Sequence, residues 1–150
     1  MEITIQTSSG VLAPPLDRAF ATAEKLLTEH RRADSEVSVL LTSDEQIHQL
    51  NRQWRGYDKP TDVLSWPQED APFAGSENSV LGDVAISLPT AARQAQARQW
   101  ELADEVALLL VHGILHLLGY EDETEAGAEQ MRQIETAILG KPLEKTEAPL

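Results

Sequence analysis

The chain has no cysteine, which excludes a disulfide framework, a thiolate metal site and a cysteine nucleophile. It is poor in positive charge: 12 Lys and Arg stand against 25 Asp and Glu, a net charge of −13, and tight nonspecific attachment to a polyanion is thereby disfavoured. It has no long hydrophobic run. The longest, Val106 to Leu118, covers 13 residues with two histidines inside it, whereas a membrane span needs about 20. The first residues, Met1-Glu2-Ile3-Thr4-Ile5, lack the basic segment and apolar run of a signal peptide. A soluble, cytoplasmic protein is expected, with no membrane partner. Internal repeats are also absent, and 150 residues suit one domain, able to bury ~68–70% of its unfolded surface.

The charge is unevenly spread. Residues 1–59 carry 7 basic and 9 acidic side chains, residues 101–150 carry 3 and 11. A polyanion would meet the amino-terminal half, and the carboxyl-terminal face would repel it.

What the sequence does have is concentrated in Val106-Ala107-Leu108-Leu109-Leu110-Val111-His112-Gly113-Ile114-Leu115-His116-Leu117-Leu118-Gly119-Tyr120-Glu121-Asp122. This reads as a helix apolar on nearly every side and ended by a glycine suited to the left-handed conformation. At ~100° and ~1.5 Å per residue, positions 112 and 116 share one face a turn apart. A buried imidazole without partners costs about 1–3 kcal/mol, so two on such a helix point to a shared metal ion. Asp122 follows the glycine, giving His-x-x-x-His-x-x-Gly-x-x-Asp. That is the spacing of the extended zincin motif, whose third ligand is usually histidine. The general-base glutamate of zinc proteases would follow the first histidine, and here Gly113 stands in its place. Metal-assisted hydrolysis of a bond other than a peptide is indicated. The alternative is two core histidines bonded to backbone or buried carboxylates, with Asp122 capping the next helix through an Asp122-x-x-Glu125 box.

Elsewhere the pattern predicts strands at Glu2–Thr7, Val37–Leu41, Val63–Trp66 and Val80–Leu88. Helices are predicted from Pro14-Pro15 to about Arg32, from Asp44 to Trp54, from Thr90 to Gln99, from Glu101 through the histidines, and from about Glu123 to Leu139. Gly82-Asp83 inside the fourth strand suggests a bulge or a close approach of another segment. Gln68–Ser79 reads as an exposed, mobile loop and 141–150 as a disordered tail. The expected fold is α+β (mixed α/β): one domain over 1–140, a mixed sheet of about four strands, and five or six helices around the central metal-binding helix.

A second constellation precedes the third strand: Arg55, Lys59, Thr61 and Asp62, beside Trp54 and Tyr57. Arg55 offers a planar fork and Lys59 a point charge, both suited to phosphate. The plainer reading is a solvated loop whose charges pair locally, Asp58 with Lys59 for instance. Trp66 or Tyr57 is a candidate for stacking a base. His30 and His48 lie on polar helical faces and read as solvated; Asp83 is a weaker candidate for supporting the metal ligands.

The segment Leu50-Asn51-Arg52-Gln53-Trp54-Arg55-Gly56-Tyr57-Asp58-Lys59-Pro60-Thr61-Asp62-Val63-Leu64-Ser65-Trp66-Pro67 resembles the Leu-Asn-x-x-Tyr-Arg-x-x-Asp-x-Pro-Thr-Asp-Val-Leu-Ser-Phe-Pro signature of the YbeY family, bacterial metal-dependent endoribonucleases and rRNA maturation factors. Leu81-Gly82-Asp83-Val84-Ala85-Ile86 is similar to the family's next strand. His112-Gly113-Ile114-Leu115-His116-Leu117-Leu118-Gly119-Tyr120 is similar to its metal motif. The resemblance implies a zinc-like ion held at His112, His116 and residue 122, with nickel or another divalent transition metal as the alternative, and an arginine, Arg55, needed for activity. It also implies single-stranded RNA as substrate, with roles in small-subunit rRNA maturation and ribosome quality control, on ribosomal particles or their proteins; no DNA partner is expected. Where the family has Asp-His after the tyrosine, this chain has Glu121-Asp122, so the third ligand becomes a carboxylate, which zinc accepts. A shifted ligand, Glu121 or Glu123, would break the ten-residue spacing from His112. Two rival functions remain at this point: an assembly factor whose metal is structural, and a zinc peptidase.

Overall fold

The computed structural model describes residues 2–67 and 80–140; the expected loop Gln68–Ser79 and the expected tail 141–150 lie outside the described residues. Four strands, β1 (Glu2–Thr7), β2 (Glu36–Thr42), β3 (Val63–Pro67) and β4 (Val80–Ser87), form one mixed sheet in the order β1-β2-β4-β3. β1 and β4 run parallel to β2, and β3 closes the edge antiparallel to β4. The alternation in β2 sorts its residues between the two faces. Val37, Val39 and Leu41 join the main core, while Leu40 looks to the other side. The four-strand mixed sheet expected from the pattern is the one observed.

The helices α1 (Asp17–Glu29), α2 (Asp44–Arg55), α3 (Leu88–Arg98), α4 (Leu102–Leu117) and α5 (Glu125–Leu139) complete the fold. α1, α4 and α5 bury the main face against Val37, Val39, Val84 and Ile86, and α2 covers part of the other face with Ile47 over Leu64 and Ala85. Both ends of α1 and the far end of α3 fall inside the limits the periodicity suggests. α1 begins at Asp17 rather than at the prolines and stops at His30, because Arg31 takes a left-handed φ of 59°. α3 ends at Arg98, with Gln99 left-handed at φ 62°.

α4 is the central element, with Glu105 to Val111 and Gly113 to Leu115 buried. It crosses β4 and β3 so closely that a Cβ at Gly113 would lie 2.8 Å from Val84 Cγ1 and 3.4 Å from Val63 Cγ2. The expected close approach at Gly82 is also present. A Cβ there would lie 2.6 Å from the Trp66 carbonyl oxygen and 2.7 Å from Leu117 Cδ2. A register shift lies next to it, since Glu36 pairs with Val80 and Val37 with Gly82.

Candidate metal centre

The site is built by the way α4 ends. Gly119 takes φ 107°, its N–H returns to the His116 carbonyl at 3.0 Å, and the Tyr120 N–H returns to Leu115 at 3.0 Å. This is the paired closure of a Schellman cap, and it folds the chain back over the last helical turn. Asp122 is thereby set opposite the two imidazoles. Its Oδ2 lies 3.4 Å from His112 Nε2 and 3.6 Å from His116 Nε2, and the two Nε2 atoms are 3.2 Å apart. Donors bound tetrahedrally at ~2.0–2.1 Å from one ion are separated by about 3.3 Å. The triangle is therefore the right size for one zinc-like cation, and among the described residues His112, His116 and Asp122 are the one such group of three.

Tautomer control supports the fit. The His112 Nδ1–H donates to Glu135 Oε2 at 2.7 Å, and the His116 Nδ1–H donates to the Tyr120 carbonyl at 3.0 Å. Both bare Nε2 lone pairs then face the same point, which is repulsive unless a proton or a cation lies between them. The electrostatics agree. Burial disfavours a charged His112, but its hydrogen bonds to Asp122 and Glu135 and the charge of both outweigh this and raise its pKa to about 10. The hydrogen bond from His112 pulls Asp122 down to about 2, with burial opposing. The pocket is made for positive charge.

The cap of α5 decides what Asp122 is for. The α5 N-cap is Thr124, whose hydroxyl accepts the Gly127 N–H at 3.0 Å, not the Asp122–Glu125 box. Asp122 is left free for the histidines. Glu121 and Glu123 stay outside the group of donors.

Two contributors were missed in the sequence. Glu135 comes from α5 and is buried, 7% exposed; its signal is a carboxylate inside the stripe formed by Met131, Ile134 and Ile138. His30 is half-buried rather than solvated: its Nδ1–H donates to the Leu26 carbonyl and its Nε2 accepts the Tyr120 hydroxyl, both at 2.9 Å. It thus pins the ring of the residue whose carbonyl holds His116. Asp83, by contrast, lines a cavity with Trp66, Leu40 and Leu50 on the α2 side of the sheet. It supports no metal ligand, and burial raises its pKa.

Beside His112 a cavity of about 240 Å³ is lined by Asp62, Gln94, Arg98, Glu105 and Glu135. Arg55 and Lys59 do not join the donor triangle. Arg55 ends α2 exposed, without an ion pair among the described residues. Lys59 lies over the Tyr57 ring at 5.8 Å, and Asp58 pairs with His48 at 2.8 Å instead of with Lys59.

The fold and site together define an α+β protein with a three-donor cation site at the end of its central helix. A family model described as Endoribonuclease YbeY matches residues 5–142. The Endoribonuclease YbeY of Sulfurihydrogenibium sp. (strain YO3AOP1) is 49% identical over 119 residues, covering 79% of this chain and 77% of that one. That of Pelotomaculum thermopropionicum is 48% identical over 123 residues, covering 81% of each. The solution structure of TM1509 from Thermotoga maritima superposes with a TM-score of 0.61 at 27% identity, over 92% of this chain and 89% of that one. The chain belongs to the YbeY family.

Proposed function

We propose that this chain is a metal-dependent endoribonuclease that cuts unpaired RNA during maturation of the small-subunit rRNA and in ribosome quality control, with a zinc-like ion held by His112, His116 and Asp122. The observation that carries the proposal is the donor triangle itself, sized for one ion and set in a chain of a family named for endoribonuclease activity. Three protein ligands leave a fourth position open, the arrangement of a catalytic rather than a structural zinc. When bound, such an ion supplies Lewis acidity for a phosphodiester and for water.

The rest falls to the chain's own side chains. Glu135 and the Tyr120 carbonyl hold both imidazoles in the tautomer that presents Nε2. Arg55, with Lys59, neutralises charge on the phosphoryl oxygens; neither has a carboxylate partner among the described residues, which suits both for that task. Asp122 in place of a neutral third ligand puts one more negative charge at the site, which makes the ion a weaker Lewis acid than three imidazoles would. The peptidase reading is disfavoured by packing: position 113, where the protease base would sit, faces Val84 and Val63 with no room for a side chain.

Purified protein incubated with single-stranded RNA, with and without chelator, tests the proposal against the assembly-factor reading. Cleavage that disappears on chelation and in His116→Ala is expected. Absent cleavage, or cleavage surviving both, sinks the hydrolase reading. Elemental analysis of the wild type and Asp122→Ala identifies the metal and the third ligand.

A further inference from the structure

Among the described residues of this acidic chain, an exposed aromatic surface stands in cationic company. Trp54, near the end of α2, is 58% exposed, and Tyr57 in the following loop is 55% exposed. Trp54 does not stand loose. Its indole lies parallel to that of Trp66 on β3, with centroids 6.4 Å apart and planes 8° apart, the offset stack that aromatic pairs favour. Trp66 in turn packs against the cluster of Ile47, Leu64 and Ala85. One face of Trp54 is thus backed through Trp66 by the protein, and the other meets solvent. Arg52 and Arg55 flank it in sequence, exposed and without ion pairs among the described residues. Asp58, in the same loop as Tyr57, is held by His48 at 2.8 Å.

We propose that the outer face of Trp54 is a stacking site for one unpaired nucleobase, with Trp66 as its rigid backing and Arg55, the next residue, available to an adjoining phosphate. This rests on the RNA reading given above and specifies where, away from the metal, the strand is gripped. A planar ring held parallel to its support loses little freedom when a third ring joins the pile, and every base offers the π-face required. An apolar side chain of a protein partner would not call for exposed guanidinium groups that have no ion pair among the described residues. The backbone of Trp66 runs close to the metal end of α4: its carbonyl oxygen and Leu117 Cδ2 would lie 2.6 Å and 2.7 Å from a Cβ at Gly82, and Leu117 follows His116 directly. The two indoles lie on the α2 side of the sheet and the metal ligands on the α4 side, with β3 the edge strand between them. A single strand crossing the edge of β3 meets both. The sequence pointed to Trp66 or Tyr57 as the stacking ring; the geometry makes Trp66 the support and Trp54 the contact.

The test is binding of a 2′-O-methyl oligonucleotide of unpaired sequence to the full chain with its metal, read by anisotropy and by tryptophan fluorescence. Loss of one stacked base corresponds to a weakening of about 5- to 150-fold. Trp54→Ala is expected to weaken binding within that range and to abolish most of the fluorescence quenching, while Trp54→Phe stays within a few-fold of wild type. An oligonucleotide with one abasic position placed in turn along its length should show a position where the loss matches that of Trp54→Ala, and the two losses should not add. Wild-type binding that Trp54→Ala leaves unchanged overturns the stacking site while the RNA reading stands, and leaves the indole to a protein contact. Failure of the wild type to bind or cut RNA overturns both. Circular dichroism of the variants shows whether the fold is kept.

Discussion

Glu135 gives the sharpest test of the metal centre, because it touches a ligand without belonging to the donor triangle. Its Oε2 accepts the His112 Nδ1–H at 2.7 Å, and its side chain is only 9% exposed. A hydrogen bond to a charged group of this kind contributes about 1.5–3 kcal/mol. Outer partners of metal-bound histidines change metal affinity by about 10- to 100-fold. In Glu135→Leu the ring loses the acceptor that keeps the proton on Nδ1, so a fraction of His112 turns its lone pair away from the site. A loss of about 10- to 100-fold in zinc affinity is expected by competition with a chromophoric chelator. Glu135→Gln keeps the shape and one accepting oxygen, so its loss should be several-fold smaller. Equal affinities in wild type and both variants would refute the argument that α5 controls the tautomer. Equal losses in both would show that charge alone matters.

Three further outcomes follow from neighbouring contacts. Glu105 is fully buried with Arg98 Nε at 3.2 Å, and burial raises its pKa to about 7 against the countering Arg98. The proton is held more tightly in the native state, so stability is complete below the unfolded value of 4.5 and falls as pH rises to about 7; the loss is about 3 kcal/mol. Urea unfolding at pH 5 and 8 should show a fall in stability larger by about 2–3 kcal/mol in wild type than in Glu105→Gln, which keeps the part due to His112; equal slopes would refute it. Gly113→Ala gains up to about 1 kcal/mol of helix propensity but drives a methyl to 2.8 Å from Val84 Cγ1. A net loss of about 1–2 kcal/mol is expected, and a rise in urea midpoint would contradict it. Tyr120→Phe removes the hydroxyl held by His30 at 2.9 Å, which should cost about 1 kcal/mol of stability and weaken zinc binding a few-fold. Unchanged zinc affinity in a variant that has lost that stability would show that the ring does not steady the turn.

Much of this was legible from the chain because it is local. The His112 and His116 spacing, the glycine stop and Asp122 lie within one helix and its cap, where 3.6-residue geometry fixes placement. The strands stood out through β-branched runs. What escaped the sequence depends on contacts between distant segments. Glu135 reads as an acid misplaced in an apolar stripe until α5 is packed beside α4. The 90 residues between His30 and Tyr120 hide their bond in the same way. Trp54 and Trp66 belong to different elements, and only the packing of α2 on β3 makes one the support of the other. The cap of α5 was also local, but the pattern pointed to Asp122, and aspartate outranks threonine as an N-cap; the engagement of Asp122 with two imidazoles from α4 leaves the cap to Thr124.

The cap that ends α4 has a consequence for how this chain can vary. Tyr120 sends its N–H to Leu115 and receives the proton of His116 on its carbonyl, so the helix stop and the ligand holder are one object. Adding or deleting a single residue between His112 and His116 would swing one imidazole away from the other by roughly a third of a turn, and a length change between 116 and 122 would undo the stop that brings Asp122 back. The chemical group at 122 is open to exchange. Its address is not, and a length change anywhere in that interval is a stricter knockout than replacing the aspartate.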